Sequence, residues 1–377
     1  MEKKILKYAA AFGLGIMALA GCTDKEAELL VPKLYFEASE STIQLDEEKE
    51  YTVDLQVRLS SMTESDVAVS YSIAGEDVVD AYNKKYGKEY KVLSTASLSS
   101  ETSSIRAGEI VSDVVELKMT GLDLLGGGDN YLLPVRVHTG DVPVIEGSDI
   151  TYYVVKKPAK IMKAARFNNS YIKVPITPLD VFKNVTYEAV INVSNFGDNN
   201  TVMGCEGVMI MRIGDAGGGT VPRDILQIAG KSEITWTDNP LKIGQWYHLA
   251  FTCSEDGKAN LYVNGENVIN SSFTMSSDLT AGGADYGFSI GMVPRFMWGT
   301  RPFNGYMSEV RLWNVVRTAN QIKENMLGVD PDSDGLVAYY KLDGTVEDAS
   351  GNGMEPEDMS APSFVDLDNP IAIGGGL

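Results

Sequence analysis

The sequence predicts an all-β chain: two β-sandwich domains in succession behind a short export segment. Three observations predict it. Apolar and polar residues alternate with a period of two in run after run, which is the pattern of half-buried strands. Asp-Gly and Asn-Gly pairs stand between the runs, and their positive φ angles suit tight hairpin turns. A charged break, Lys156-Lys157-Pro158, divides the 377 residues into two patterned blocks, and a chain of this length exceeds what one hydrophobic core usually serves.

The chain opens on Lys3, Lys4 and Lys7, followed by an apolar or small run from Tyr8 to Ala20. That is the layout of a secretory signal, too short to span a bilayer as a stable helix. It ends Leu19-Ala20-Gly21-Cys22, which resembles the lipobox of bacterial lipoproteins. The resemblance implies removal of residues 1–21 and acylation of Cys22, with acyl chains anchoring the protein in the outer membrane. Residues 22–32 then form an acidic tether. Its start, Asp24-Lys25-Glu26-Ala27-Glu28, is similar to the surface-export tag of Bacteroidetes lipoproteins. With Cys22 lipidated, two cysteines remain. Cys205 and Cys253 lie in strand-like stretches of one block, so a disulfide between them is geometrically open beside the preferred reading of two buried free thiols.

Residues 33–157 read as a sandwich of immunoglobulin-like size. Tyr51, Val53, Leu55, Val57 and Leu59 alternate with polar residues as one strand with one buried face. Val67 to Ile73, Val115 to Met119 and Tyr131 to Val137 repeat the pattern, with Pro134 marking an edge or a bulge. One helix is expected, with Val78, Val79, Tyr82 and Tyr86 on one face and Gly87 as its stop.

Residues 160–377 form the second block. His248 to Cys253, a turn at Asp256-Gly257, Ala259 to Val263 and a turn at Asn264-Gly265 make an antiparallel meander. Leu249, Phe251 and Cys253 share one face, and His248, Ala250 and Thr252 the other. A long strand runs to Trp313. Thr318 and Gln321 form a capping box opening a short helix, which Gly328 is expected to end. Trp246 and Trp313 read as packing residues, and His248 as a hydrogen-bonded strand residue.

Four motifs in order carry a resemblance: Gly244-Gln245-Trp246-Tyr247-His248-Leu249-Ala250; Leu261-Tyr262-Val263-Asn264-Gly265; Phe303-Asn304-Gly305 through Glu309-Val310-Arg311-Leu312-Trp313-Asn314 to Arg317; and Gly335 to Asp343 with Asp348-Ala349-Ser350-Gly351-Asn352-Gly353. Together they resemble the laminin-G-like, or concanavalin A-like, jelly roll over residues 163–365. In the first block, Asp80-Ala81-Tyr82-Asn83, Ile105-Arg106-Ala107-Gly108-Glu109 and Tyr131-Leu132-Leu133-Pro134-Val135 resemble a domain of unknown function. That domain opens Bacteroidetes surface lipoproteins and some of their glycoside hydrolases. The two resemblances imply a cell-surface role in glycan capture or utilisation.

Charge and motif chemistry narrow the ligand. Lys+Arg number 32 against 52 Asp+Glu, a net charge of −20, which argues against nucleic acid and sulfated polymers and for a neutral glycan. Only His138 and His248 are present, which argues against a His-rich metal site or a His relay. Retaining glucanases of this superfamily need two carboxylates about 5 Å apart. Around Glu309, Arg311 stands where the second acid would be required, so the chain reads as non-catalytic. Asp330-Pro331-Asp332-Ser333-Asp334-Gly335 matches the opening of a calcium loop, but Lys341 replaces the bidentate Glu of an EF-hand. The resemblance leaves room for a structural Ca²⁺ with unnamed ligands. The Gly-rich run Asp215 to Gly219 has no following Lys-Ser/Thr and reads as a loop.

Sugars offer apolar ring faces and rings of hydroxyls, met by an exposed aromatic and Asn, Asp or Arg side chains. The segment Pro294 to Pro302 carries Arg295, Phe296, Trp298 and Arg301 and is the first candidate for the site, with Trp298 and Arg295 foremost. Trp236, in Ile234 to Asn239, is the second, and the polar run Asn195 to Asn200 the third. The alternatives are a protein-interaction or adhesion module binding another envelope protein, which a flat patch would favour, and a divergent glycoside hydrolase.

Overall fold

The computed structural model describes residues 31–215, 221–275, 278–280 and 286–373. The export segment, Cys22 with the start of its tether, and residues 216–219 of the Gly-rich run lie outside these. Among the described residues, the strands from Leu34 to Lys156 and those from Lys163 to Asp366 share no sheet.

In the first part, one sheet runs in the order Glu40–Gln44, Ile150–Lys156, Asn130–His138, Val67–Ile73, Thr102–Ile105. A smaller sheet of Glu50–Leu55, Val115–Thr120 and Ala96–Leu98 faces it. Val67, Val69 and Tyr71 meet Leu55, Leu117 and Met119 in one core, as their alternation requires. The expected strand from Tyr51 to Leu59 divides. Its first half pairs with Val115–Thr120 and its end, Arg58–Leu59, pairs with Leu34–Tyr35; Tyr51, near the start of the first half, is exposed and not in the core. Pro134 is at neither an edge nor a bulge. It lies in the central strand where that strand's neighbour changes from Lys91–Val92 to Val67–Ile73, so its missing N–H breaks no ladder. Helix α1 (Glu76–Tyr86) sets Glu76 and Asp77 in its first turn and Lys84 and Lys85 in its last, complementing the helix dipole. Gly87 ends it at φ 60°, and its Val79 and Tyr82 pack on Leu132 and Val154.

The second part is a jelly roll of two antiparallel sheets. One is built around Trp246–Cys253, Val185–Val193 and Asn304–Trp313, the other around Met209–Ile213, Asn200–Cys205 and Phe288–Ile290. Phe167, Tyr187, Phe251 and Phe288 fill the space between them. Cys205 and Cys253 are buried free thiols, and burial pushes them up to about 12 and about 11 respectively. The first sheet is buried on its outer face too. Helix α2 (Ala319–Glu324), with the capping box of Thr318 and Gln321, lays Ile322 on Ala250 and Tyr262. It ends at Asn325 and not at Gly328, because Asn325 itself caps the last turn, its N–H donating to Gln321 O.

Helix α2 is also the plug between the two parts. Glu324 takes Lys88 at 2.6 Å, the Tyr90 hydroxyl at 2.9 Å and Lys156 at 3.5 Å. Thr318 donates its hydroxyl to Gly87 O at 2.8 Å, and a Cβ on Gly87 would stand 3.1 Å from that side chain. Beneath the helix lies a buried ion cluster. Arg311 reaches Glu188 at 3.4 Å and also binds the carbonyls of Asn325 and Met326. Arg317 lies 3.3 Å from Glu188, stacks on Trp313 at 4.0 Å, and bridges to Glu89 of the first part at 2.7 Å. Burial alone would push the Glu188 carboxyl up. The guanidinium groups of Arg311 and Arg317 and the His248 bond outweigh it and bring it down to about 2. Burial holds His248 neutral, and its Nε2 donates to Glu188 Oε2 over 3.1 Å.

Glu309 gives a testable consequence. Glu188 pairs with Arg311 and Val190 with Ser308, so the 304–313 strand carries one extra residue there, and Glu309 sits in this bulge at φ 54°. Its carboxylate is buried and accepts from the Tyr339 hydroxyl at 2.5 Å; burial, against the opposing charge of Arg311, raises it from 4.5 to about 7. Between those two values the unfolded chain has lost this proton and the folded chain keeps it, so stability falls as pH rises across the window. Glu309→Gln does not titrate. Relative to wild type it is expected to gain ~3 kcal/mol between pH 4.5 and pH 8 in denaturant titrations. A stability difference that stays constant with pH would contradict this.

The topology places the two ends of the molecule. In the first part the strand Asn130–His138 starts at the plug, where Asn130 donates to Glu324 O. Beyond its other end, the entering chain is held by Leu34 N donating to Pro143 O. In the second part, Asn304–Trp313 runs the opposite way, with Trp313 beside Arg317 near the plug and Asn304 at the far end. At about 3.3 Å per residue that strand alone separates the far end from the plug by about 30 Å.

Candidate functional site

At that far end three connections converge: the Asn168-Asn169 turn, the 194–199 loop and the 294–303 loop. They wall a cavity of 440 Å³. The cavity joins the first and third sequence candidates, since Trp298 and Arg301 face Asn195, Asn199 and Asn200 across it. Asn304, at the start of its strand, completes the polar lining.

The 294–303 loop is set by its own bonds. Val293 N donates to Thr300 O, Gly299 N to Phe296 O, and Phe303 N to Gly291 O. Arg295 and Arg301 take φ of 62° and 53°, a left-handed conformation that costs a non-glycine residue about 1 kcal/mol or more and must be held by its surroundings. For Arg301 the hold is an ion pair with Glu206 at 2.6 Å, with the guanidinium 4.4 Å above the Phe296 ring. Phe296 is buried against Ile210, Ala229 and Val293 and packs edge-on to Tyr286 and Trp298, at 5.0 and 5.6 Å. Trp298 is therefore propped from behind and 76% exposed. A flat ring fixed open to solvent beside a set of amides is what a sugar ring stacks upon.

The sequence candidates separate accordingly. Trp298 and Arg301 line the cavity; Phe296 supports them from inside. Arg295 does not line it: its side chain turns to Asp358 at 3.0 Å. Trp236 is buried in the core, because the alternation of Glu233–Trp236 sends Ile234 and Trp236 inward and Thr235 out to Gln227. Asn168 and Asn169 were not singled out from sequence. Asn169, at φ 55°, carries an ordinary turn signal with nothing in it to mark a ligand. Asp198 at the rim pairs with Arg223 at 2.5 Å, so both charges of the lining, Asp198 and Arg301, are balanced by ion partners.

Other chemistry fits less well. Asp330 pairs with Lys91 at 2.7 Å and accepts from Asp332 N, so the acidic turn spends its first carboxylate on structure and does not fit a cation. Among the described residues no three His, Cys, Asp or Glu side chains gather as a metal would need. Glu309 borders a separate cavity of 410 Å³ with Tyr339, Lys341 and Asp343, while Arg311 on the same strand is committed to Glu188.

Residues 167–323 match the family described as the concanavalin A-like lectin/glucanases superfamily, and residues 30–144 match a family of N-terminal domains. A crystal structure of a proposed carbohydrate-binding protein from Bacteroides ovatus is 46% identical, with a TM-score of 0.64, covering 91% of this chain and 100% of its own. Domain 4 of an extracellular arabinanase from Geobacillus stearothermophilus, solved with arabinotriose, is 20% identical (TM-score 0.35; 43% of this chain, 76% of that one). EndoBT-3987 from Bacteroides thetaiotamicron is 16% identical (TM-score 0.28; 32% and 28%). No curated protein matches the chain.

Proposed function

The chain belongs to a family of two-domain Bacteroides proteins whose second domain is of the concanavalin A-like lectin/glucanase superfamily, and on that premise we propose that it captures a neutral glycan at the loop-end cavity without turning it over. One observation carries the reading: Trp298 stands open at the mouth of an asparagine-lined cavity and is held there by Phe296. The balanced ion partners of Asp198 and Arg301 favour a neutral ligand. The name given to the Bacteroides ovatus relative supports carbohydrate binding as well. The non-catalytic part of the reading rests on Arg311, which holds the position a second acid would need and is occupied with Glu188.

In this proposal the protein is a lipoprotein acylated at Cys22, anchored in the outer membrane and displayed at the cell surface. The first domain is the mount: the chain enters at its far side, and the cavity lies at the opposite end of the second domain. Cys22→Ser is expected to move the protein from the membrane fraction to the soluble fraction; membrane retention of the variant would contradict the anchor. The test of the binding reading is a glycan array probed with the full chain, with Ca²⁺ and with chelator. Binding to neutral glycans supports it. Absence of glycan binding under both conditions favours the protein-interaction alternative, to be followed by pull-down from envelope extracts.

A further inference from the structure

At the inner end of the same cavity lie polar groups that the fold itself does not use. Asn199 is 96% buried, since only 4% of it is accessible, and it lines the cavity. Neither its Oδ1 nor its Nδ2 has a partner among the described residues. Arg301 Nε, on another lining residue, also has none, and neither does Thr201 Oγ1, outside the lining but bonded to Arg301 through Thr201 N donating to Arg301 O at 3.0 Å. A buried polar atom left without a partner costs about 1–3 kcal/mol, and folded proteins contain few of them. Three of these four atoms, on Asn199 and Arg301, belong to residues that line one cavity open to solvent, and they form a prepared set of donors and acceptors. Asn200, next in the chain, contrasts with them: its Nδ2 donates to Pro302 O and its Oδ1 accepts from Gly197 N, so its amide builds the wall.

Resting on the glycan reading above, we infer that the cavity takes the end of a neutral glycan chain, with Asn199 as the residue that reads it. The geometry runs from mouth to floor. Trp298 is exposed at the rim and Asn199 is enclosed at the bottom. A saccharide touching both must point its terminal ring inward; a stretch laid across Trp298 with both ends in solvent would not reach the floor. The volume of 440 Å³ is towards the small end of the roughly 300–1,000 Å³ usual for ligand sites, enough for a short terminal segment. The amide of Asn199 offers one acceptor and two N–H donors. Two adjacent hydroxyls of a terminal sugar answer both. Arg301 Nε–H adds a donor whose charge Glu206 already balances, so an oxygen ligand needs no charge of its own.

The test uses the full chain and a length series of the best neutral glycan found on the array, from disaccharide to hexasaccharide. Affinity is expected to level off after the second or third unit, and of two hexasaccharides, one capped at its reducing end and one at its non-reducing end, one is expected to lose binding at least tenfold and the other to keep it. Affinity that keeps rising with every added unit, with Trp298→Ala still abolishing binding, would overturn end recognition and leave the glycan site standing. Asn199→Leu supplies the second readout. It replaces an unpartnered buried amide by an apolar group of similar size, so it is expected to melt no lower than wild type while losing at least tenfold in affinity. A lowered melting temperature with unchanged affinity would show that Asn199 is structural, or holds only water, and would overturn its role. An N-acetyl amide as the required terminal group, found instead of adjacent hydroxyls, would overturn the ligand chemistry assigned here.

Discussion

Arg311→Met is expected to destabilise the chain by about 3–5 kcal/mol, the largest effect of any single change at the plug. Arg311 is completely buried and faces Glu188, also completely buried, at 3.4 Å. Methionine keeps much of the volume and removes the charge. Glu188 would retain only Arg317 and neutral His248, and the carbonyls of Asn325 and Met326 would lose the bonds they accept from Arg311. The loss should persist in 1 M salt, because screening acts on exposed pairs and hardly on buried ones. Urea unfolding of the variant and wild type at two salt concentrations measures it. A loss below about 1 kcal/mol, or one that salt erases, would place the pair among surface ion pairs and contradict the account of the plug. The same cluster sets an acid limit. Glu188 is brought down to about 2, so its contribution is complete above the ordinary carboxylate range near 4.5 and disappears as pH falls towards 2.

Trp298→Ala is expected to lower glycan affinity at least tenfold with little change in stability. The two expectations have separate grounds. A nucleobase stacked on an aromatic side chain contributes about 1–3 kcal/mol by alanine substitution, and the lower part of that range, taken for the apolar face of a sugar, covers tenfold. Trp298 is 76% exposed, and the packing that supports the loop belongs to Phe296 and not to Trp298. Calorimetric titration beside a melting curve separates the effects. Phe296→Ala makes the contrast: a buried ring is removed, so stability falls by about 3–5 kcal/mol and binding weakens because the prop is gone.

Most of the fold was legible because one kind of signal dominates it. Val67 to Ile73 alternates in sequence and alternates in burial, and the capping box at Thr318 and Gln321 forms as written. Departures occur where a tertiary contact decides. Pro134 suggested an edge, but a change of neighbour lets a central strand accept it. His248 and Ala250 alternate with the core residues yet are as buried as they are, because helix α2 and the ion cluster cover the outer face. The candidate site was legible only in its parts. An exposed tryptophan and a run of asparagines each stood out, but period-two reading could not say that residues 100 apart in sequence share one cavity. Trp236 shows the reverse error, since a tryptophan beside Asp and Asn looks like a sugar platform until the alternation of its own strand is followed inward.

Residue-resolved oxidative footprinting reads whether a glycan lies against Trp298. In the free protein Trp298 is far more exposed than the buried Trp236 and Trp313 and should oxidise fastest of these three, alongside exposed Met297 and Met62. With the glycan at saturation, oxidation of Trp298 is expected to fall severalfold while Met62, in the other domain, oxidises as before. A glycan shown by calorimetry to be bound, with Trp298 oxidising at the free rate, would place the binding surface elsewhere on the molecule.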